Sequence, residues 1–198
     1  MKTFLKSIQT SFSALVLFTL FFGIAYPVLM VGVGQLFFHK KANGSLFTYE
    51  DGKIVGSAWI GQNFSQPKYF HPRPSSAGNG YDASNSAASN LGPTSQKLSD
   101  ALKQRVQDFR SQNNLDPNAS IPADAVMGSA SGLDPHISPA NAKLQAARVA
   151  AARNMTTQDV IDLIATYTEH PTWGIFGQER INVLRLNLAL DKRSVGES

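Results

Sequence analysis

Reactive side chains are densest at residues 128–136, where Ser129, Ser131, Asp134 and His136 crowd into one short stretch. A serine hydrolase needs a hydroxyl nucleophile, an imidazole base and a carboxylate that orients the base. The nucleophile elbow of one large hydrolase class is G-x-S-x-G. Here the central position of Gly128-Ser129-Ala130-Ser131-Gly132 is Ala130, so the match fails. Catalytic triads also draw their members from distant parts of a chain. The cluster therefore reads as a turn stabilised by Asx-type side-chain bonds.

Other chemistries find less. A metal site needs converging ligands, but His39, His71, His136 and His170 stand far apart, without Cys and without an H-E-x-x-H spacing. No G-x-x-x-x-G-K-[ST] loop is present to cradle a nucleotide phosphate. Asn63-Phe64-Ser65 matches a glycosylation acceptor, a pattern that chance supplies often. His71, set between Phe70 and Pro72-Arg73-Pro74, reads as a contact residue or as a loop histidine satisfied within its own fold.

The elements around these residues begin with an apolar run. Between Lys6 and Lys40 there is no Asp, Glu, Lys or Arg, and a helix crosses a hydrocarbon core of about 30 Å with roughly 20 apolar residues. A lone span must be helical, because each backbone N–H and C=O in the bilayer has to be paired within the segment. The expected transmembrane helix is 12–38, marked by Phe12, Leu15, Thr19 and Gly23, then Pro27, Gly32 and Phe38. Pro27 lacks a donor, so a kink or loosening is expected near Ala25 to Pro27. Gly23, Gly32 and Gly34, with Thr19 on the face of Gly23, would let a neighbouring helix approach. A cleaved signal peptide has a shorter apolar region and an A-x-A-like site. This run continues through Val28 to Phe38 with no such site, which favours a retained anchor.

Flanking charge sets orientation weakly: Lys2 and Lys6 precede the span and Lys40 and Lys41 follow it. A long C-terminal domain translocates regardless of charge, while a short basic tail stays inside. The expected arrangement is a cytoplasmic N-terminus at 1–11, a membrane helix at 12–38 and an extracytoplasmic domain at 39–198.

The 198 residues are 42% hydrophobic and 16% charged, with a net charge of +4. Setting aside Lys2 and Lys6 leaves 16 of the 18 basic residues facing 14 acidic ones, with no long basic run. That balance supplies no phosphate-tracking stripe and excludes a nucleic-acid partner.

Beyond the span, 46–49 and 54–55 read as two short strands around an Asp51-Gly52 turn. Residues 65–94 are interrupted everywhere by Pro, Gly, Ser and Asn, and are expected to form a long ordered loop that packs on something. Leu98, Leu102, Val106 and Phe109 form one helical stripe ending near Asn113. Ser120-Ile121-Pro122 is expected to cap a short turn that stops at Gly128. Ser138-Pro139 opens an Ala-rich helix to Asn154, and Thr156 or Thr157 caps another that closes at His170-Pro171. Alternation from Ile181 to Leu190 predicts a half-buried strand. The fold class expected is α+β: one N-terminal transmembrane helix and a small mixed domain.

Several of these segments together resemble a known family. They are Tyr26-Pro27, Asn43-Gly44-Ser45, Gly56-Ser57-Ala58, Gly61-Gln62-Asn63-Phe64, Tyr69-Phe70-His71 with Arg73-Pro74-Ser75, and Ser89-Asn90-Leu91-Gly92. The series continues with Ala130-Ser131-Gly132-Leu133-Asp134, Ile137-Ser138-Pro139, Arg148-Val149-Ala150 with Ala152-Arg153-Asn154, Asn182-Val183, and Leu186-Asn187-Leu188-Ala189-Leu190-Asp191. In this order they resemble the C subunit of the Kdp potassium-importing ATPase, nearly end to end.

The resemblance implies a single-pass protein of the bacterial inner membrane, with its domain in the periplasm. Its partners would be a channel-like potassium-translocating subunit, a P-type ATP-hydrolysing subunit and a very small single-span subunit. The family's C subunit stabilises the complex and raises the pump's apparent ATP affinity. ATP and potassium would be handled by the partners, since this chain carries neither a phosphorylation Asp motif nor a pore-lining repeat. Gln62, Asn63, Phe64, His71 and Arg73 are the expected partner contacts. The alternatives are a membrane-anchored periplasmic hydrolase using Ser131 and His136, and an envelope binding module.

Overall fold

A computed structural model describes residues 2–49 and 52–196. The chain divides into two compact units, Met1–Leu46 and Phe47–Ser198.

The first unit is helical. Helix α1 (Lys2–Leu20) runs into a π-helical segment at Phe21–Ala25, and α2 (Tyr26–Phe37) continues to a short α3 (His39–Ala42). Residues Thr3–Phe37 are long and apolar enough to cross a membrane, and the most apolar stretch of this helix is not buried. The expected loosening before Pro27 is a π-turn: the Tyr26 N–H reaches back to the Phe21 carbonyl, one residue further than in an α-helix. Beyond the apolar stretch, Asn43 hydrogen-bonds Gln35 through its side-chain amide and caps the His39 carbonyl at 2.8 Å.

The second unit is α+β, as expected. Strand β1 (Leu46–Thr48), which straddles the boundary, pairs with β2 (Ile54–Ser57). Glu50 and Asp51 of the anticipated turn lie outside the described residues, while Gly52 takes the left-handed φ of +80° that this turn requires. Helix α4 (Gln96–Gln112) starts at an N-cap Ser95, whose hydroxyl accepts the Leu98 N–H. The short α5 (Ala123–Val126) has Pro122 at its N-cap position and no side-chain cap, so the capping role assigned to Ser120 is not taken up.

After β3 (His136–Ile137), helix α6 (Pro139–Arg153) has the cap read from sequence: Ser138 Oγ accepts the Asn141 N–H, Pro139 fills the first turn, and Asn154 closes in the left-handed region. Thr156 caps α7 (Thr157–Tyr167) by accepting the Asp159 N–H. The chain then forms β4 (Thr168–Glu169) and β5 (Arg180–Asn182). The sheet order is β3-β5-β4, all antiparallel, with Ile181 opposite both Ile137 and Thr168.

The strand expected over 181–190 is corrected. Only Arg180–Asn182 is extended, and α8 (Val183–Gly196) follows at once. Asn182 makes the switch, because its Oδ1 accepts the Arg185 N–H at 3.0 Å in the manner of an N-cap. The leucine alternation misled because this helix is buried on more than one side: Val183, Leu184, Leu186, Asn187, Ala189 and Leu190 are all inside. An encircled helix shows no clean 3.6-residue period. The core joins α6, α7, α8 and the sheet, and Phe70 from the long loop enters it with no exposed surface.

Candidate functional site

No helix or strand forms between Ser65 and Thr94, so the backbone polar groups of this loop must find partners elsewhere. Two buried amides supply them. Asn187 of α8 accepts the Phe70 N–H at 2.8 Å and donates to the Phe70 carbonyl at 3.1 Å. Gln145 of α6 does the same for the next residue, accepting the His71 N–H at 2.7 Å and donating to its carbonyl at 3.1 Å. Each amide thus imitates a neighbouring β-strand. Behind Gln145 a polar chain continues through Asn141 to Asp124, which also accepts from the Ser138 backbone and hydroxyl.

Arginines hold the flanks. Arg148 donates to the carbonyls of Pro67 and Tyr69 and to Asn113 at the end of α4. Burial lowers its pKa to about 10, which leaves it charged at neutral pH. Arg153 donates to the Lys68 carbonyl, pairs with Asp191 at 2.7 Å and lies over the Tyr69 ring. Tyr69 donates to the same Asp191, and burial with that carboxylate raises its phenol pKa.

The pinned loop and α4 border an open cleft of about 400 Å³. Asn63, Phe64, His71 and Arg73 line one wall, while Arg105, Asp108 and Gln112 of α4 line the other. Four of the five expected contact residues therefore share one cavity. The fifth, Gln62, turns inward to donate to the Val55 carbonyl at 2.8 Å. Asn63 is exposed, whereas Phe64 packs against the core and against Tyr69. Thr19, Gly23, Pro27 and Gly32 lie in the first unit's helix, with the side chain of Thr19 against Gly23.

Electrostatics at the cleft favour fixed protonation states. Arg73 pairs with Asp134 at 2.8 Å, and the Asp134 Oδ1 also accepts the His136 N–H. Burial pushes the Asp134 carboxyl up, but the His136 and Arg73 hydrogen bonds outweigh it and hold the pKa down to about 2. Burial and the Arg148 charge lower His71, favouring neutral imidazole. Tyr81 donates to the Arg73 carbonyl, and burial raises its phenol beyond reach of deprotonation. Arg73 Nε is buried without a hydrogen-bond partner among the described residues.

The serine cluster is a turn. Ser131 Oγ accepts the Leu133 N–H and shares a hydrogen bond with Ser129 Oγ, and none joins either serine to His136 among the described residues. Gly132 sits at φ +69°, where an added Cβ would lie 2.7 Å from Ala77 N and 2.8 Å from the Ala87 carbonyl oxygen. The turn thereby clamps the loop's far end. Among the described residues no group of three or more His, Asp or Glu could hold a metal ion.

The amide clamps escaped sequence reasoning because Asn187 and Phe70, like Gln145 and His71, are far apart in the chain; only the polar residues interrupting apolar helices α6 and α8 hinted at them.

Residues 8–192 match the family described as KdpC, K+-transporting ATPase, c chain. The chain is 53% identical to a potassium-transporting ATPase KdpC subunit of Mycobacterium tuberculosis over 94% of this chain and 98% of the relative. It is 51% identical to the protein of that name from Caulobacter vibrioides over 96% and 94% of the two chains, and 50% identical to that from Koribacter versatilis over 94% of each. A match that spans the apolar helix, the clamped loop and the buried C-terminal helix alike shows that this chain belongs to the KdpC family of K+-transporting ATPase subunits.

Proposed function

We propose that this chain is a non-catalytic accessory subunit of an ATP-driven potassium importer, stabilising the assembly and raising the ATP affinity of the hydrolysing subunit. The observation that carries this reading is the family match over residues 8–192. The fixed protonation states around Asp134, Tyr81 and His71 suit a binding surface better than an acid-base centre. The hydrolase alternative is not favoured.

In this reading residues 12–38, most of them within the apolar helix Thr3–Phe37, span the bacterial inner membrane, with 1–11 cytoplasmic and 39–198 periplasmic. The cleft wall formed by Asn63, His71 and Arg73 meets a partner surface, and Gln62 and Phe64 hold that wall in place. The partners are a channel-like potassium-translocating subunit, a P-type ATP-hydrolysing subunit and a small single-span subunit. ATP and potassium are handled by them. A periplasmic domain cannot touch cytoplasmic ATP, so its effect on nucleotide affinity is a coupling free energy transmitted through helix and partner contacts.

Two measurements test this. Pull-down in detergent should recover the chain with an ATP-hydrolysing subunit, and removing the chain should raise the ATP concentration needed for potassium-stimulated hydrolysis. Unaltered hydrolysis without the chain would defeat the reading. For orientation, the sequence has no Cys, so Ser84→Cys in the exposed loop gives this chain a single thiol. A membrane-impermeant maleimide should label it from the periplasmic side, and protection there would reverse the topology.

A further inference from the structure

Backbone pairing along the apolar helix is broken where the π-turn meets Pro27. A carbonyl in an α-helix accepts the N–H four residues on, and in a π-turn the one five residues on. For Phe22 the first of these is Tyr26, whose N–H is committed to the Phe21 carbonyl. The second is Pro27, which has no N–H. The widened turn that accommodates the proline therefore leaves the Phe22 carbonyl with neither donor. The Gly23 carbonyl loses its α-helical donor to the same ring, because Pro27 stands four residues beyond it.

Depth makes the gap costly. From Phe12 to Phe22 the helix rises roughly 15 Å, halfway into a hydrocarbon core of about 30 Å, where an unpaired carbonyl has no bulk water to turn to. The chain does not mend the gap itself. Hydroxyls on this helix reach backwards, Ser7 to the Thr3 carbonyl and Thr10 to the Lys6 carbonyl, so Thr19 faces the wrong way to serve Phe22. Over 24–28 the sequence is IAYPV, in which only Tyr26 carries a side-chain donor, at the far edge of a rigid ring. Among the described residues no side chain donates to the Phe22 or Gly23 carbonyl.

Few groups can supply the missing donor. Acyl chains have none. A water held by these two carbonyls alone falls short of the about three hydrogen bonds that a buried water makes. Lys and Arg donate, but each brings a charge that is expensive at this depth. The hydroxyl or carboxamide of Ser, Thr, Asn or Gln on a neighbouring helix meets the need without a charge. Gly23 leaves the approach open: an added Cβ there would have the Thr19 methyl as its nearest neighbour, at 3.9 Å, and without one a second backbone can come close.

We propose that the Phe22 and Gly23 carbonyls form a mid-membrane acceptor site, occupied in the assembled pump by an uncharged side-chain donor on a transmembrane helix of another subunit. The proposal rests on the reading of the chain as a membrane-anchored pump subunit.

Isotope-edited infrared spectroscopy tests it, with a labelled carbonyl at Phe22 of the full-length chain, in bilayers alone and within the intact pump. The labelled band should stand at the frequency of a free carbonyl in the chain alone and fall on assembly. Pro27→Ala returns the missing N–H, so the band of that variant should be low even without partners. With the partner's bond made dispensable, release of Pro27→Ala from the purified pump should quicken roughly tenfold. Gly23→Leu, which obstructs the approach and leaves the pairing alone, should also quicken release while the band of the free chain stays high. A band already low in the unsubstituted chain alone would assign the donor to water or to the chain itself and overturn the site. A band unmoved by assembly, or release of Pro27→Ala at the unsubstituted rate, would overturn it too. If the unsubstituted chain fails to co-purify with any pump subunit, it is the functional reading that falls.

Discussion

Two irregular segments of the second unit handle their exposed chemistry in opposite ways. The loop at 65–94 is long, rich in Gly, Ser and Asn, and lacks regular structure, yet it buries Phe70 completely and has its backbone tied by Asn187, Gln145 and Arg148. The tip at 172–176 is short and apolar, satisfies its backbone internally, and leaves its aromatic rings in water. Loop length therefore says little about which surface is free for a partner. What decides it is where the backbone donors and acceptors find their mates, and which side chains are left over once they have.

The sharpest way to break this contrast is at the clamp. Asn187→Ala leaves the buried Phe70 N–H and carbonyl without partners. The expected loss is about 3 kcal/mol, read as a lower melting temperature of the detergent-solubilised chain. Gly132→Ala attacks the other end of the loop through its left-handed φ and the close Ala77 and Ala87 backbone. It should cost roughly 2 kcal/mol in the same assay.

Acid should act through Asp134. Its folded-state pKa of about 2 lies below the unfolded carboxylate value. The stability it contributes is complete above about pH 4 and disappears as pH falls towards 2. With the carboxylate 29% exposed, Asp134→Asn should remove about 2 kcal/mol at neutral pH and flatten the chain's acid-unfolding curve between pH 4 and 2. The smallest expected effect is at the tip: Trp173→Ser should change stability by less than about 0.5 kcal/mol. A large change there would mean that the tip supports the fold and that the contrast is false.

The parts of this fold written in local chemistry were legible in sequence. Ser138-Pro139 and Thr156 each act within one helical turn and the Leu98 to Phe109 stripe repeats from one turn to the next, and each forms the element its spacing predicts. The apolar helix and the looseness before Pro27 were legible for the same reason. The C-terminal helix was not, since burial on several sides erased its period and the Asn182 cap sat inside what read as a strand. Within the candidate site, Asn63, Phe64, His71 and Arg73, singled out as partner contacts, line one cleft, whereas the amides that pin Phe70 and His71 were not legible. A bond between Phe70 and Asn187 leaves no trace in the neighbourhood of either residue. The aromatic tip drew no notice because a Trp-Gly-Ile-Phe run looks the same whether its rings end inside or out.

The π-turn at Phe21–Ala25 has a consequence for helix register. It accommodates one residue more than an α-turn would, so the azimuths of α1 and α2 are offset relative to a continuous rod. Deleting one residue from it would restore an ordinary α-turn with little change of phase, whereas the same deletion within α2 between Tyr26 and Met30 would swing everything upstream by about 100° against everything downstream, the angular step of one α-helical residue. Thr19 and Gly32 would then point to different neighbours while length and greasiness hardly changed. Whether this helix can pack with companions is thus set by rotational phase as much as by its affinity for lipid.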